Sequence, residues 1–242
     1  MFIALTVALL SVPSAKPPAE VELALRYDAG HTYRITTTEK RKTRSGGKTD
    51  RTNSTVVSER VVSVGGQYKR SPITWVETMT EGPDEVTGLA YRVQIAADGT
   101  LEIDQITVPM EELVEVFTPE FFGAILEKGM GPWEPRTIKV GARWTLDLTD
   151  SVPLIQGKMG ISWRVKSIKK GVAYLVSRAT STSGAVSGTG KAEIVLETGL
   201  LRLTDTKLTL KMKFGGRKVT ARTHTRIEMK RLPTIPSVQN TE

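Results

Sequence analysis

The chain reads as a mainly β protein (α+β), a curved antiparallel sheet or half-barrel meander with one kinked helix packed on its concave face. Three observations predict this. Apolar residues alternate with polar ones over most of the length, the period of strands with one buried face. The connections between such runs are short and glycine-rich, too short for parallel crossovers. One segment alone has helical spacing, and 242 residues with 39% hydrophobic content are enough for a single sizeable core.

The start, MFIALTVALL followed by SVPSA and then KPPAE, is an uncharged apolar run ending in small residues. It is too short for a permanent membrane helix and has the layout of a secretory signal peptide over residues 1–15, cut after Ser14 or after Ala15. One β-rich domain over residues 21–232 follows, then a disordered tail over 233–242. The chain contains no Cys. That excludes disulfides, thiolate metal sites, thiol nucleophiles and a lipidated N-terminal cysteine, so the exported fold rests on its core.

In order along the chain, Arg41–Arg51 (RKTRSGGKTDR) is basic and polar and is expected as an exposed hairpin tip. Thr55–Val64, a Gly65-Gly66 turn and Gln67–Met79 form one expected hairpin. Leu89, Tyr91, Val93 and Ile95 alternate with polar or small residues, Asp98-Gly99 supplies a two-residue turn, and Leu101 and Ile103 resume the pattern, a second hairpin over 88–105. From Pro109 to Lys128, Leu113, Val116, Phe117, Phe121 and Ile125 recur at spacings of three and four. Thr118-Pro119-Glu120 there reads as a cap with proline at the first helical position, giving two short helices or one kinked one. Strands return from Trp144 to Leu232. Leu201 and Leu203 have the opposite parity to Leu208, Leu210, Met212 and Phe214, which calls for a bulge near Asp205 if both sets are to face inward.

The residues that carry chemistry are sparse. The two histidines, His31 and His224, lie far apart in sequence, and no pair of carboxylates is singled out by spacing. GAVSGTGKA at 184–192 has Ala185 and Ala192 where a phosphate loop needs Gly and Ser or Thr, so it reads as a strand or turn. Gly129-Met-Gly131 follows a helix rather than a strand and is no dinucleotide fingerprint. Asn53-Ser54-Thr55 matches a glycosylation triplet that matters only in a eukaryotic secretory host. No catalytic residue, metal site or cofactor is expected.

Two groups are candidates for binding. Trp75, Tyr91, Val93, Phe117, Phe121, Trp144 and Trp163 are apolar or aromatic residues placed to line a ligand or fill a core, and Trp133 belongs with the other indoles. The formal charge is +8, and residues 207–231 hold nine Lys and Arg against the single acid Glu228. Within that hairpin Lys218, Arg222, Arg226 and Lys230 share a parity opposite to Val219, Ala221, Ile227 and Met229. They are expected as a solvent-facing stripe, either an anion-binding site or an edge hairpin protected by charge. Few aromatics interleave it, which argues against single-stranded nucleic acid and any specific nucleic-acid partner.

The order of parts also carries a resemblance: Gly30 to Tyr33 opening the strands, YRVQIAADGTLEI, a Phe-rich helix, Lys139-Val140-Gly141-x-x-Trp144, and EIVLETGLLRLTDTKLTLKM. Across residues 21–231 this resembles an uncharacterised family of exported bacterial proteins and, more distantly, outer-membrane lipoprotein carriers of the LolA and LppX type. The resemblance implies a half-barrel whose apolar concave face takes acyl chains under covering helices; this chain has one helical segment where the carriers have several. The expected function is an exported, periplasmic or secreted, non-enzymatic binding or carrier protein of the cell envelope for a lipid or other apolar small molecule. The alternative is an adhesive or scaffolding protein that meets an anionic envelope surface through the basic hairpin. An enzyme is the third reading, without a recognisable catalytic set, and oligomeric state is left open.

Overall fold

The computed structural model describes residues 20–130, 134–147, 158–214 and 217–233. The expected signal peptide, the tail beyond Pro233, Trp133 and the side chain of Ile125 lie outside the described residues. Eight strands precede the helix: β1 (Val21–Leu23), β2 (Arg26–Tyr27), β3 (Thr32–Ser45), β4 (Lys48–Val64), β5 (Gly66–Gln67), β6 (Ile73–Glu81), β7 (Ala90–Ile95) and β8 (Leu101–Thr107). Helix α1 (Pro119–Met130) is followed by β9 (Arg136–Ile138), β10 (Arg143–Asp147), β11 (Met159–Lys169), β12 (Val172–Ser181), β13 (Val186–Val195), β14 (Leu201–Phe214) and β15 (Arg217–Arg231).

Eleven strands form one antiparallel sheet in the order β10-β11-β12-β13-β14-β15-β3-β4-β6-β7-β8. Each half is a meander, as the short connections require, and the seam is the β15–β3 ladder, which runs from Val219 opposite Ser45 to Arg231 opposite Tyr33. The basic hairpin is therefore central, and its reading as a charge-protected edge is overturned. Among the described residues β8 and β10 do not pair, so the sheet is not closed into a barrel.

The sheet curls. Strands β7 and β12 stand seven places apart in the order and would be roughly 30 Å apart in a flat sheet. Nonetheless Val93 of β7 and Leu175 of β12 belong to one core cluster with Leu23, Leu25, Tyr27 and Ile138. The two small ribbons β1–β9 and β2–β5 supply Leu23, Tyr27 and Ile138, with Leu25 on the link between β1 and β2, and all four pack into the same core as both halves of the sheet. Burial of these apolar side chains, at ~25 cal/mol per Å² removed from water, is the main source of stability.

Glycine stands in β13 where neighbouring strands leave no room for a side chain. A Cβ at Gly188 would stand 2.5 Å from the Lys207 carbonyl oxygen, and one at Gly190 would stand 2.5 Å from Ser177 Oγ. Gly188 and Gly190 of GAVSGTGKA therefore serve close packing along β13, while Gly184 at φ 69° belongs to the turn before it, and the segment forms no phosphate loop.

Several local expectations change. Arg41–Arg51 is not a loose tip: β3 and β4 stay paired to Ser45 opposite Lys48, turning only at Gly46 and Gly47, whose φ angles are 53° and 87°. The Gly65-Gly66 turn is longer, because β5 leaves β4 to pair with β2 before β6 returns. The turn after β7 spans three residues, closed by Ala96 N–H donating to Thr100 O at 2.8 Å, with Gly99 at φ 91°.

The expected kinked helix is not found. A 3-10 turn at Glu111–Leu113 is separate from α1, which begins at Pro119 after Thr118, whose Oγ1 accepts from Phe121 N–H at 3.3 Å. That fresh start resets the phase. Phe122 is buried and stacks on Tyr91 with ring centroids 4.2 Å apart, whereas Phe121 is 39% exposed. α1 lies against β8, at one end of the sheet.

The bulge falls at Arg202, not near Asp205. Glu193 faces Leu203 and Ile194 faces Leu201, so Arg202 is the extra residue. Leu201 then joins the inner face, where Leu208 and Leu210 also pack, while Leu203 shares the outer face with Glu193 and Glu228.

Candidate functional site: a basic outer sheet face

Lys218, Arg222, Arg226 and Lys230 are all exposed on the outer face of β15, opposite the buried Ala221. Because β15 lies between β14 and β3, the stripe is continued sideways by its neighbours. Four rows of register partners cross β14, β15, β3 and β4: Lys211–Thr220–Arg44–Thr49, Thr209–Arg222–Lys42–Arg51, Lys207–His224–Lys40–Asn53 and Asp205–Arg226–Thr38–Thr55. Partners on adjacent strands stand about 5 Å apart, so Arg222, Lys42 and Arg51 form a line of three neighbouring cations. The rows contain one carboxylate, Asp205, which is 3.0 Å from His224 Nε2. Arg226 pairs with Glu228 at 2.6 Å, but Lys40, Lys42, Arg44, Arg51, Lys207, Lys211 and Arg222 have no ion pair among the described residues. At the other end of β15, Lys230 stands opposite Arg34, which is bound to Glu59.

These strands are 14 to 17 residues long and only their proximal halves reach the main core. The distal halves form a ribbon with a small cluster of Met159, Ala179 and Val186 behind it. Their outer surface is charged and threonine-rich, without an apolar side chain in the four rows.

The seven residues expected at a ligand surface are dispersed. Trp75 and Val93 are fully buried and Tyr91 nearly so, within the main core. Trp144 and Trp163 are register partners on β10 and β11, half-buried against that core, with the Arg136 guanidinium 4.9 Å from the Trp144 ring. The indole N–H groups of Trp75, Trp144 and Trp163 are buried without a hydrogen-bond partner. Phe117 borders a crevice of about 380 Å³ beside Ile106 and Val108, and Phe121 turns outward.

Sequence reasoning missed two features. One is a row of inner-face residues, Tyr33–Arg60–Glu77–Tyr91, across β3, β4, β6 and β7. Arg60 binds Glu77 at 2.6 Å, bonds to the Tyr27 hydroxyl and lies 4.6 Å from the Trp75 ring, while Ser58 Oγ donates to Glu77 at 2.8 Å. Burial, then the Glu77 carboxylate, push the Tyr91 phenol far up, and burial likewise raises Tyr27. The other is a cleft of about 650 Å³ where β14 and β15 part. Their ladder ends at Leu203 opposite Glu228, although β15 continues beside β3 and β14 beside β13. Tyr33, Leu200, Leu201, Leu203 and Met229 line it.

No protein-family model and no curated protein matches this sequence. Among solved structures, a DUF1329 family protein from Desulfovibrio piger aligns at 10% identity and TM-score 0.25, over 81% of this chain and 83% of that one. Ail, the attachment invasion locus protein of Yersinia pestis, aligns at 5% identity and TM-score 0.20 over 84% of this chain and 100% of its own. The same protein with the heparin analogue sucrose octasulfate gives 6%, 0.19, 83% and 99%. Scores this low carry no site residue across, and the functional reading rests on this chain's own register.

Proposed function

We propose that this is an exported, non-enzymatic binding protein of the cell envelope whose outer sheet face engages a polyanionic polymer. The apolar start of the chain supports export, and the carrying observation is the side-by-side placement of Arg222, Lys42 and Arg51. Like charges directly opposite one another on a sheet are destabilising by a few tenths of a kcal/mol or more. A linear polymer bearing anions at a spacing of several ångströms offsets that repulsion and releases its own counterions, as in other polyelectrolyte complexes. The absence of apolar side chains from the four rows favours a hydrated polymer over insertion into a bilayer, and the absence of Phe, Tyr and Trp there disfavours base stacking. A carrier with ligand held between Phe121 and the sheet has less support, because Phe121 faces outward and Trp75 and Val93 are sealed.

Dextran sulfate, a polyanion with no base or acyl chain, is the direct probe. Titration calorimetry with the wild type and with the Arg222→Glu/Lys42→Glu double variant should show saturable binding that falls at least about tenfold in the variant. Equal affinity in the two proteins refutes the assignment.

A further inference from the structure

The basic rows do not stop at β14. The row that holds Asp205 and Arg226 continues in register to Lys191 on β13, Val176 on β12, Arg164 on β11 and Arg143 on β10. The row that holds Lys207 and His224 continues to Thr189 on β13, Arg178 on β12 and Ser162 on β11. Arg143, Arg164, Arg178 and Lys191 are exposed on the outer face, since their chain neighbours Trp144, Val165, Ala179 and Ala192 turn inward. None of the four has an ion pair among the described residues. Each of the eight adjacent strands from β10 to β4 thus supplies a cation, and Arg143 stands directly opposite Arg164 as Arg222 stands opposite Lys42.

The flank gives this band a direction. The next row toward the core is Tyr174–Glu193–Leu203–Glu228, whose two carboxylates hold Arg202 and Arg226. A polyanion is repelled by that row and attracted along the band, so its axis crosses the strands. Seven gaps of about 4.8 Å between eight strands make a track about 34 Å long. The buried residues of both halves share one core on the inner face, so the outer face that carries the band is convex. An occupant of the whole band has to bend with it. Duplex DNA, with a persistence length of about 50 nm, resists bending over so short a span.

We infer that the occupant of the outer face is a long, flexible polyanion laid across the strands from β10 to β4, with Arg164 and Arg178 as a second anchor beyond the Arg222–Lys42–Arg51 line. This rests on the polymer reading and adds to it a length and a direction.

Two dextran sulfate fractions titrated into the full chain test it, one about 15 Å long, enough for the three-strand line, and one longer than about 40 Å. At equal sulfate concentration the long fraction should bind at least about tenfold more tightly, because the second anchor engages within the same complex. Arg164→Glu/Arg178→Glu should lower long-fraction affinity at least about tenfold and make its salt dependence shallower, with the short fraction unchanged. Lys169→Glu/Lys170→Glu makes the same change in net charge at the exposed end of β11, away from the band, and should shift either affinity by less than about twofold. Circular dichroism and thermal melts establish that each variant is folded. Unchanged long-fraction affinity in Arg164→Glu/Arg178→Glu, an equal loss in the two double variants, or duplex DNA bound with the same dependence on Arg164 and Arg178 overturns the inference. In those cases a loss of binding in Arg222→Glu/Lys42→Glu keeps the outer-face reading standing; wild type that binds neither fraction overturns both.

Discussion

Glu77 brings a carboxylate into the most apolar part of the molecule, and its surroundings show how that is tolerated. Two nitrogens of Arg60 and the Ser58 hydroxyl bond its oxygens, and the guanidinium rests on the Trp75 face. Glu77→Gln removes the counter-charge but leaves Arg60 buried, so urea unfolding should show a loss of about 3–5 kcal/mol; a loss below about 1 kcal/mol would mean the pair is solvated. The tyrosines around it make a second prediction. With folded pKa values above the unfolded value near 10, Tyr27 and Tyr91 contribute stability that is full below that pH and is lost as pH rises past it. Ultraviolet absorbance should show these phenols ionising only as the protein unfolds in alkali, and ionisation near pH 10 in folded protein would contradict their burial. This cluster was not legible in the sequence. Arg60 and Glu77 are 17 residues apart on strands that look half-exposed, and nothing in a period of two says that their shared face is the inner one.

At the scale of elements, strands were legible and their phases were not always. Alternation located β7, β8 and β11 to β15 because one buried face imposes a period of two whatever the partner strand. The helix was misphased: spacing counted from Leu113 points to Phe121, but Thr118 and Pro119 restart the chain and rotate Phe122 inward. Phe122→Ala should therefore cost about 3–5 kcal/mol in thermal or urea unfolding and Phe121→Ala under about 1. The reverse order would restore the phase expected from sequence. The bulge is a similar case. Opposite parity of Leu201–Leu203 and Leu208–Leu210 signalled an irregularity, yet it could not say which leucine would be sacrificed to the outer face, and that choice opened the cleft at Leu203.

For the whole molecule, the decisive contact is the β15–β3 seam, which joins residues nearly two hundred positions apart and makes a local stripe into a broad face. The four stripe residues could be read from parity in one hairpin. Lys40, Lys42 and Arg44 share the same alternation, but Gly46, Gly47 and the surrounding polarity resemble a loop, and no local signal names β15 as their neighbour. On the proposed reading, these like charges are set in register at a cost to the free protein and are satisfied by a polyanion. Lys42→Glu measured for both properties in one preparation tests this most directly. Stability in urea should rise by about 0.2–1 kcal/mol, because the substitution sets a carboxylate between Arg222 and Arg51. Dextran sulfate affinity should fall about tenfold, with a shallower salt dependence. Unchanged affinity and an unchanged salt slope, with or without a gain in stability, would contradict the claim that this face binds polyanions.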